Sequence, residues 1–374
     1  MSTFSDVDMS STEKRDAQAA LLRDQLQESL QYSTPRKSSR LTQCIVVLTA
    51  FSLVCASTVG FLALKQHLTT SPTSISHDDF SMSQSSCVTP MARPEWRSLP
   101  DHRRFAYTVA VERLMKLPSR LGLNTSRYDD FTYVHIQVKN QVHHTALSLP
   151  WHRLFVSVFE QVLTTEGKFD GPLPYWDWTL DAADPLISPI WDSRVGFGGN
   201  GTAPDNCVTD GVLSSYTAAY TEEGYAPHCV TRKFDSTYKE GAMHGEKWRP
   251  EVIKEIIMGA ATYEDFRDQL ESGPHKQLHL GIGGEMNSIS SSNDPLFFIH
   301  HAQIDRLWWL WQQQHPSQRN VEFAGPKYED GERAATGADV TDRVLMLGLG
   351  KDHSVRDLLT TKSDVLCYKY AIDL

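Results

Sequence analysis

The chain has 374 residues, 40% hydrophobic and 22% charged, an ordinary globular balance that excludes a fibrous repeat, a fully disordered chain and a multi-span membrane protein. Its formal net charge of −10, with no block of lysine and arginine, argues against nucleic acid as a partner, because phosphate contacts need clustered cations. Fifteen histidines and nine tryptophans are the unusual counts.

Residues 1–40 read as a polar tail with balanced charge. Residues 41–64, LTQCIVVLTAFSLVCASTVGFLAL, carry no charge. As a helix rising ~1.5 Å per residue they reach about 36 Å, enough for a hydrocarbon core of ~30 Å. A cleaved signal is the alternative, but signal peptides normally finish within the first ~15–30 residues. Arg36, Lys37 and Arg40 precede the span and only Lys65 follows closely. The positive-inside rule therefore predicts a cytosolic tail and a type II single-pass protein, its remainder in the secretory lumen or outside. The sequons at Asn124 and Asn200 agree with that side as glycosylation sites.

Residues 65–90 are Ser/Thr-rich and read as a stem, leaving 91–374 as one domain. Four cysteines lie outside the span, and an even count in an oxidising compartment suggests two disulfides with three possible connectivities. Cys207 with Cys229 closes a local loop and Cys87 with Cys367 ties the two ends of the domain; free buried thiols are the alternative.

Within the domain the apolar periodicity is helical around 105–117, 129–144, 151–167 and 299–314. Residues 181–245, rich in Gly, Asp, Ser and Pro, read as long loops with at most short strands. The fold class is therefore mainly α, and helix bundles commonly build metal sites from side chains on facing helices. His135, His143, His144 and His152 form one histidine group; His275, His279, His300 and His301 form another. His275 and His279, four apart, share one helical face. No cysteine or carboxylate alternates with these histidines, and imidazole-only ligation with open positions suits copper among other metals.

HHTALSLPWHRLFVSVFE and NDPLFFIHHAQIDRLWWLW resemble the two copper signatures of the tyrosinase family of type-3 binuclear copper proteins. GPLPYWDWTLD, at 171–181, is similar to the stretch that follows the first signature there. The likeness runs from about 91 to 374 and is greatest to fungal tyrosinases of ustiloxin- and phomopsin-type cyclic-peptide pathways. It implies a helical-bundle copper domain using two copper ions and O2. His135, His143 and His152 would hold one ion, and His275, His279 and His301 the other, a choice within each doublet that rests on the family pattern alone. It implies oxidation or hydroxylation of a phenol, such as a tyrosine-containing peptide, beside other enzymes of a biosynthetic cluster. A melanin-type tyrosinase or catechol oxidase, an oxygen carrier and a scaffold of reduced activity are the alternatives.

Further roles follow from the same likeness. Glu271, four residues before His275, would hold a water that accepts the phenol proton. Asp305, four residues after His301, would orient a ligand imidazole or Arg153. Lys276 stands where phenol-hydroxylating relatives often have asparagine, and Ser148 where the first signature usually has phenylalanine, predicting looser packing beside His143. Gln141 excludes the thioether crosslink of some relatives. Cys367-Tyr368-Lys369-Tyr370 resembles the tyrosine motif that closes the core, and no C-terminal shielding domain is expected. Ser288, Ser290, Ser291 and Ser292, with Lys276, predict an open, cation-rimmed mouth.

Overall fold

The computed structural model describes residues 87–234, 243, 245–329 and 337–371. The expected tail 1–40, span 41–64 and nearly all of the stem 65–90 lie outside these. Among the described residues no helix is long and apolar enough to cross a membrane.

In chain order the main elements are β1 (Met91–Arg93), α1 (Asp101–Lys116), α2 (Asp129–Val142), α3 (Ser148–Thr165), β2 (Ala218–Thr221), β3 (Gly224–His228), α4 (Pro250–Gly259), α5 (Tyr263–Leu270), α6 (Lys276–Ile282), α7 (Leu296–Gln314), α8 (Pro316–Arg319), β4 (Arg343–Val344), β5 (His353–Ser354), α9 (Val355–Leu358) and β6 (Tyr368–Tyr370). Among the described residues helices dominate, and the strands form two-stranded pairs. In the described part of 181–245, one hairpin of β2 and β3 interrupts loops and short 3-10 turns.

The centre is α3 against α7, with α2 packed beside α3. Both central helices are buried almost all round, which only a helix wrapped by others sustains. Pro150 is harmless in the first turn of α3, where no intrahelical N–H is needed. At the start of α7, Asp294 Oδ1 accepts from the Leu296 backbone N–H at 3.1 Å, satisfying one of the free donors of the first turn. Phe159 stacks on Phe298 with ring centroids 3.6 Å apart. Phe131 of α2 meets Phe155, Phe159 and Phe298 edge to face at 5.6, 5.2 and 5.5 Å. Such aromatic pairs contribute about 0.5–1.5 kcal/mol each beyond their buried area, so this cluster locks α2, α3 and α7 together.

The two ends of the domain meet. β1 and β6 pair in parallel, Met91 opposite Tyr368 and Arg93 opposite Tyr370, and Cys87 is bonded to Cys367. Cys207 is bonded to Cys229 across the base of the hairpin region. Arg93, fully buried, pairs with Glu160 and lies over the Tyr368 ring at 3.5 Å. Asp305 is the hub beside it. It accepts from Arg153 Nε at 2.5 Å, from the Tyr370 hydroxyl at 2.5 Å and from the Tyr368 hydroxyl. The terminal tyrosines thus close the core by bonding a carboxylate of α7.

Candidate metal centre

His135 sits on the buried face of α2. The helix expected over 129–144 ends at Val142: His143 is extended (φ −126°, ψ 140°), and His144 takes a left-handed φ of 54°. That reversal, sparsely populated for a residue with a Cβ, turns the chain toward α3, which carries His152. His143 joins His135 and His152 in one cluster, with ring centroids 5.0–5.6 Å apart. His144 stays exposed.

Between α5 and α6 the chain makes a π turn, Glu271–His275, with Pro274 inside it and Gly273 at φ −93°, ψ −112°. Proline lacks the N–H and clashes with the carbonyl four residues back, so the helix must widen or kink there. The wide turn delivers His275 to the start of α6, one turn from His279, their centroids 4.6 Å apart. With His300 and His301 of α7 they form the second cluster. The clusters touch where His152 stacks on His301, centroids 4.3 Å apart and planes 13° from parallel. Phe297 covers both, its ring 4.1 Å from His301 and 5.1 Å from His135.

Hydrogen bonds set the tautomers. Nδ1 of His135, His143, His152, His275 and His279 lies 2.9, 3.0, 2.8, 3.3 and 2.5 Å from the carbonyl oxygens of Ile289, Lys139, Ser148, Glu271 and Met286. A carbonyl only accepts, so each Nδ1 carries the proton and each neutral ring offers a bare Nε2 lone pair. His300 is the opposite case. The donor-only indole of Trp178 gives its N–H to His300 Nδ1 at 3.2 Å, which puts the proton on Nε2 and leaves no lone pair facing the cluster. His301 has an unpartnered Nδ1 and is held by stacking.

Desolvation, reinforced by neighbouring imidazoles, pushes His135, His152, His275 and His301 well below the ordinary histidine range. Desolvation also lowers His143, and it lowers His279 to about 4. The rings are therefore neutral, the state a metal requires. Among the described residues, Nε2 of His135, His152, His279 and His300 is buried without a protein partner. Unpaired buried nitrogens are costly; a metal ion would satisfy the three bare ones, whereas His300 carries its proton there. Both clusters consist of imidazoles alone, without a carboxylate, which fits copper. A cavity of about 700 Å³ opens onto both clusters, walled by Phe297, Met286, Ile289 and Asn140.

Residues 125–314 match the family model for the common central domain of tyrosinase. The chain belongs to the tyrosinase family. It is 37% identical over 308 residues to the tyrosinase-like protein phomQ1 of Diaporthe leptostromiformis, covering 76% of this chain and 78% of that one. Tyrosinase ustQ of Aspergillus flavus is also 37% identical, over 76% of this chain and 80% of its own. The solved polyphenol oxidase of Thermothelomyces thermophila superposes with a TM-score of 0.68 at 26% identity, covering 76% of this chain and 89% of that one. This chain is thus a tyrosinase-like copper oxidase, with a binuclear copper cofactor and O2 as co-substrate.

Glu271 is buried and lines the cavity of this tyrosinase-like centre, but it is already engaged. Its Oε1 accepts from the His144 backbone N–H at 2.7 Å and the Ser148 hydroxyl at 3.1 Å, and Oε2 from Arg267 at 3.0 Å. Ser148 therefore braces the carboxylate where looser packing is expected from a small side chain. Asp305, of its two expected partners, meets the arginine and not an imidazole. Lys276 is exposed at the cavity wall beside His275. The mouth is not rimmed by cations alone, contrary to the expectation from the sequence: Glu222 and Glu329 line it as well, and Lys139 pairs with Glu222. Only Ser288 and Ser291 of the four serines line the cavity; Ser290 and Ser292 bond inward to Glu285 and Thr132. Both sequon asparagines are exposed. The carbonyls of Ile289 and Met286 were beyond sequence reasoning, since a backbone oxygen leaves no residue-type signal. Phe297 was visible, as part of DPLFFIHH.

Proposed function

We propose that His135, His143 and His152 hold one copper and His275, His279 and His301 the other. On this reading the enzyme hydroxylates or oxidises a phenol carried on a tyrosine-containing peptide to a catechol or o-quinone. The observation that carries it is five rings with a bare Nε2, plus His301, in two touching clusters, all but His152 lining one cavity of about 700 Å³. Bound copper supplies the oxygen and redox chemistry. The protein supplies neutral, oriented rings and an apolar wall at Phe297 that excludes water from the reacting face. Among the described residues, Oε2 of Glu271 accepts from Arg267 alone, which leaves it able to accept from a water that takes the phenol proton. Lys276 cannot accept a proton while charged; it attracts an anionic part of the substrate instead. The likeness to phomQ1 and ustQ supports a role in fungal secondary metabolism, in mycotoxin-like cyclic-peptide pathways. An uncleaved 41–64 anchor, the 65–90 stem and glycans on Asn124 and Asn200 belong to the same reading.

The test compares oxygen consumption on free tyrosine, a catechol and a tyrosine-containing peptide, for wild type and Lys276→Asn. The expected order is peptide and catechol well above free tyrosine, with the substitution raising free-tyrosine turnover. Fast oxidation of free tyrosine by the wild type, unchanged in the variant, would remove the basis for a peptide substrate.

A further inference from the structure

The segment Gly284–Asn293 contains none of the clustered histidines, yet it orients one histidine in each cluster. Met286 O accepts a hydrogen bond from Nδ1–H of His279 at 2.5 Å, and Ile289 O accepts one from Nδ1–H of His135 at 2.9 Å. The position of this segment therefore sets the aim of two Nε2 atoms across the centre. One side chain ties it down. Glu285 is buried, and its Oε1 accepts from Ser290 Oγ at 2.5 Å and from Asn293 Nδ2 at 2.9 Å. Its Oε2 lies 3.1 Å from His228 Nε2 on β3, and Asn293 reaches β2 through Tyr220 O at 2.8 Å. The backbone adds to this: Glu285 N bonds Thr231 O at 2.9 Å, and Gly284, at φ 54°, approaches that same carbonyl so closely that a Cβ would sit 2.4 Å from it. The His228–Thr231 stretch carries Cys229, which is bonded to Cys207. A buried carboxylate thus joins the disulfide-braced hairpin to the segment that aims His135 and His279.

We infer that Glu285 is a positioning residue of the copper centre, acting through the Met286 and Ile289 carbonyls on one ligand of each ion. The inference rests on the ligand reading above. Hydrogen bonds that orient metal-ligating histidines typically govern metal affinity by about 10–100-fold. Alanine at 285 leaves Ser290 and Asn293 without their acceptor and frees the segment. Glutamine can keep all three contacts, its oxygen accepting from Ser290 and Asn293 and its NH₂ donating to a neutral His228.

The experiment uses the full chain in wild-type form, Glu285→Ala, Glu285→Gln and Leu114→Ala, the last a buried α1 position that lines no part of the cavity. Copper loss to a chelator and melting temperature are measured on the loaded proteins, and hydrogen exchange on the metal-free ones. Glu285→Ala is expected to lose copper about 10–100-fold faster than wild type, with exchange accelerated in 284–293, while Glu285→Gln stays close to wild type on both. Leu114→Ala should lower the melting temperature without speeding copper loss comparably. Copper loss from Glu285→Ala no faster than from Leu114→Ala would overturn the inference, as would unchanged exchange in 284–293. A wild type that binds fewer than two coppers would instead overturn the ligand reading, with the exchange measurement still deciding whether Glu285 holds the segment.

Discussion

Two histidine doublets looked equivalent in sequence and are not so in space. His144 is exposed beyond a left-handed turn, and its ring stays out of the cluster that His143 joins. His300 lies within reach of the second cluster, so distance alone does not separate it from His301. The separation is chemical, because Trp178 donates to His300 Nδ1 and the remaining proton must occupy Nε2. His301→Ala is therefore expected to abolish one equivalent of copper. His300→Ala should keep both ions and lose mainly stability, by the few kcal/mol of a cavity left beside Trp178. Copper analysis of the two variants reads this directly; loss of an ion from His300→Ala alone would reverse the assignment.

At the level of elements, periodicity located α1, α2, α3 and α7 because each is long and packs an apolar face against the others. It missed α2's early end, since nothing in VHH announces a positive φ at His144. It was silent on α4 and α5, and it could not foresee that Pro274 would be absorbed as a π turn rather than a break. The 41–64 span is an element of another kind, proposed from hydrophobicity and flanking charge alone. In intact microsomes, residues 66–374 are expected to resist protease while 1–40 are clipped, and deglycosylation should shift gel mobility. A soluble product beginning after about residue 57 would show a cleaved signal instead.

Across the whole domain, the metal centre stores a pH dependence. Six imidazoles have folded-state pKa values pushed below the unfolded value near 6.5, His279 to about 4. Between those values the unfolded chain binds protons that the folded one refuses, so stability falls as pH drops from about 6.5 toward 4 and is fully present above that window. The metal-free protein should show this as a melting temperature that declines steeply from pH 7 to pH 5. Copper loading should raise it at pH 7 and raise it less at pH 5, because protons compete for the same nitrogens. A flat profile in the metal-free protein would mean that the rings are solvated.

By itself the sequence determined the family, the helical class and the histidines from which a binuclear site is drawn. The signatures determined these because ligand chemistry demands particular side chains at particular helical spacings. Only the tertiary structure decided which nitrogen of each ring is free, that Glu271 is braced by Ser148 and Arg267, and that Asp305 serves Arg153 and the terminal tyrosines. Those outcomes depend on backbone carbonyls and on partners up to 154 residues apart, and neither leaves a mark in local residue order.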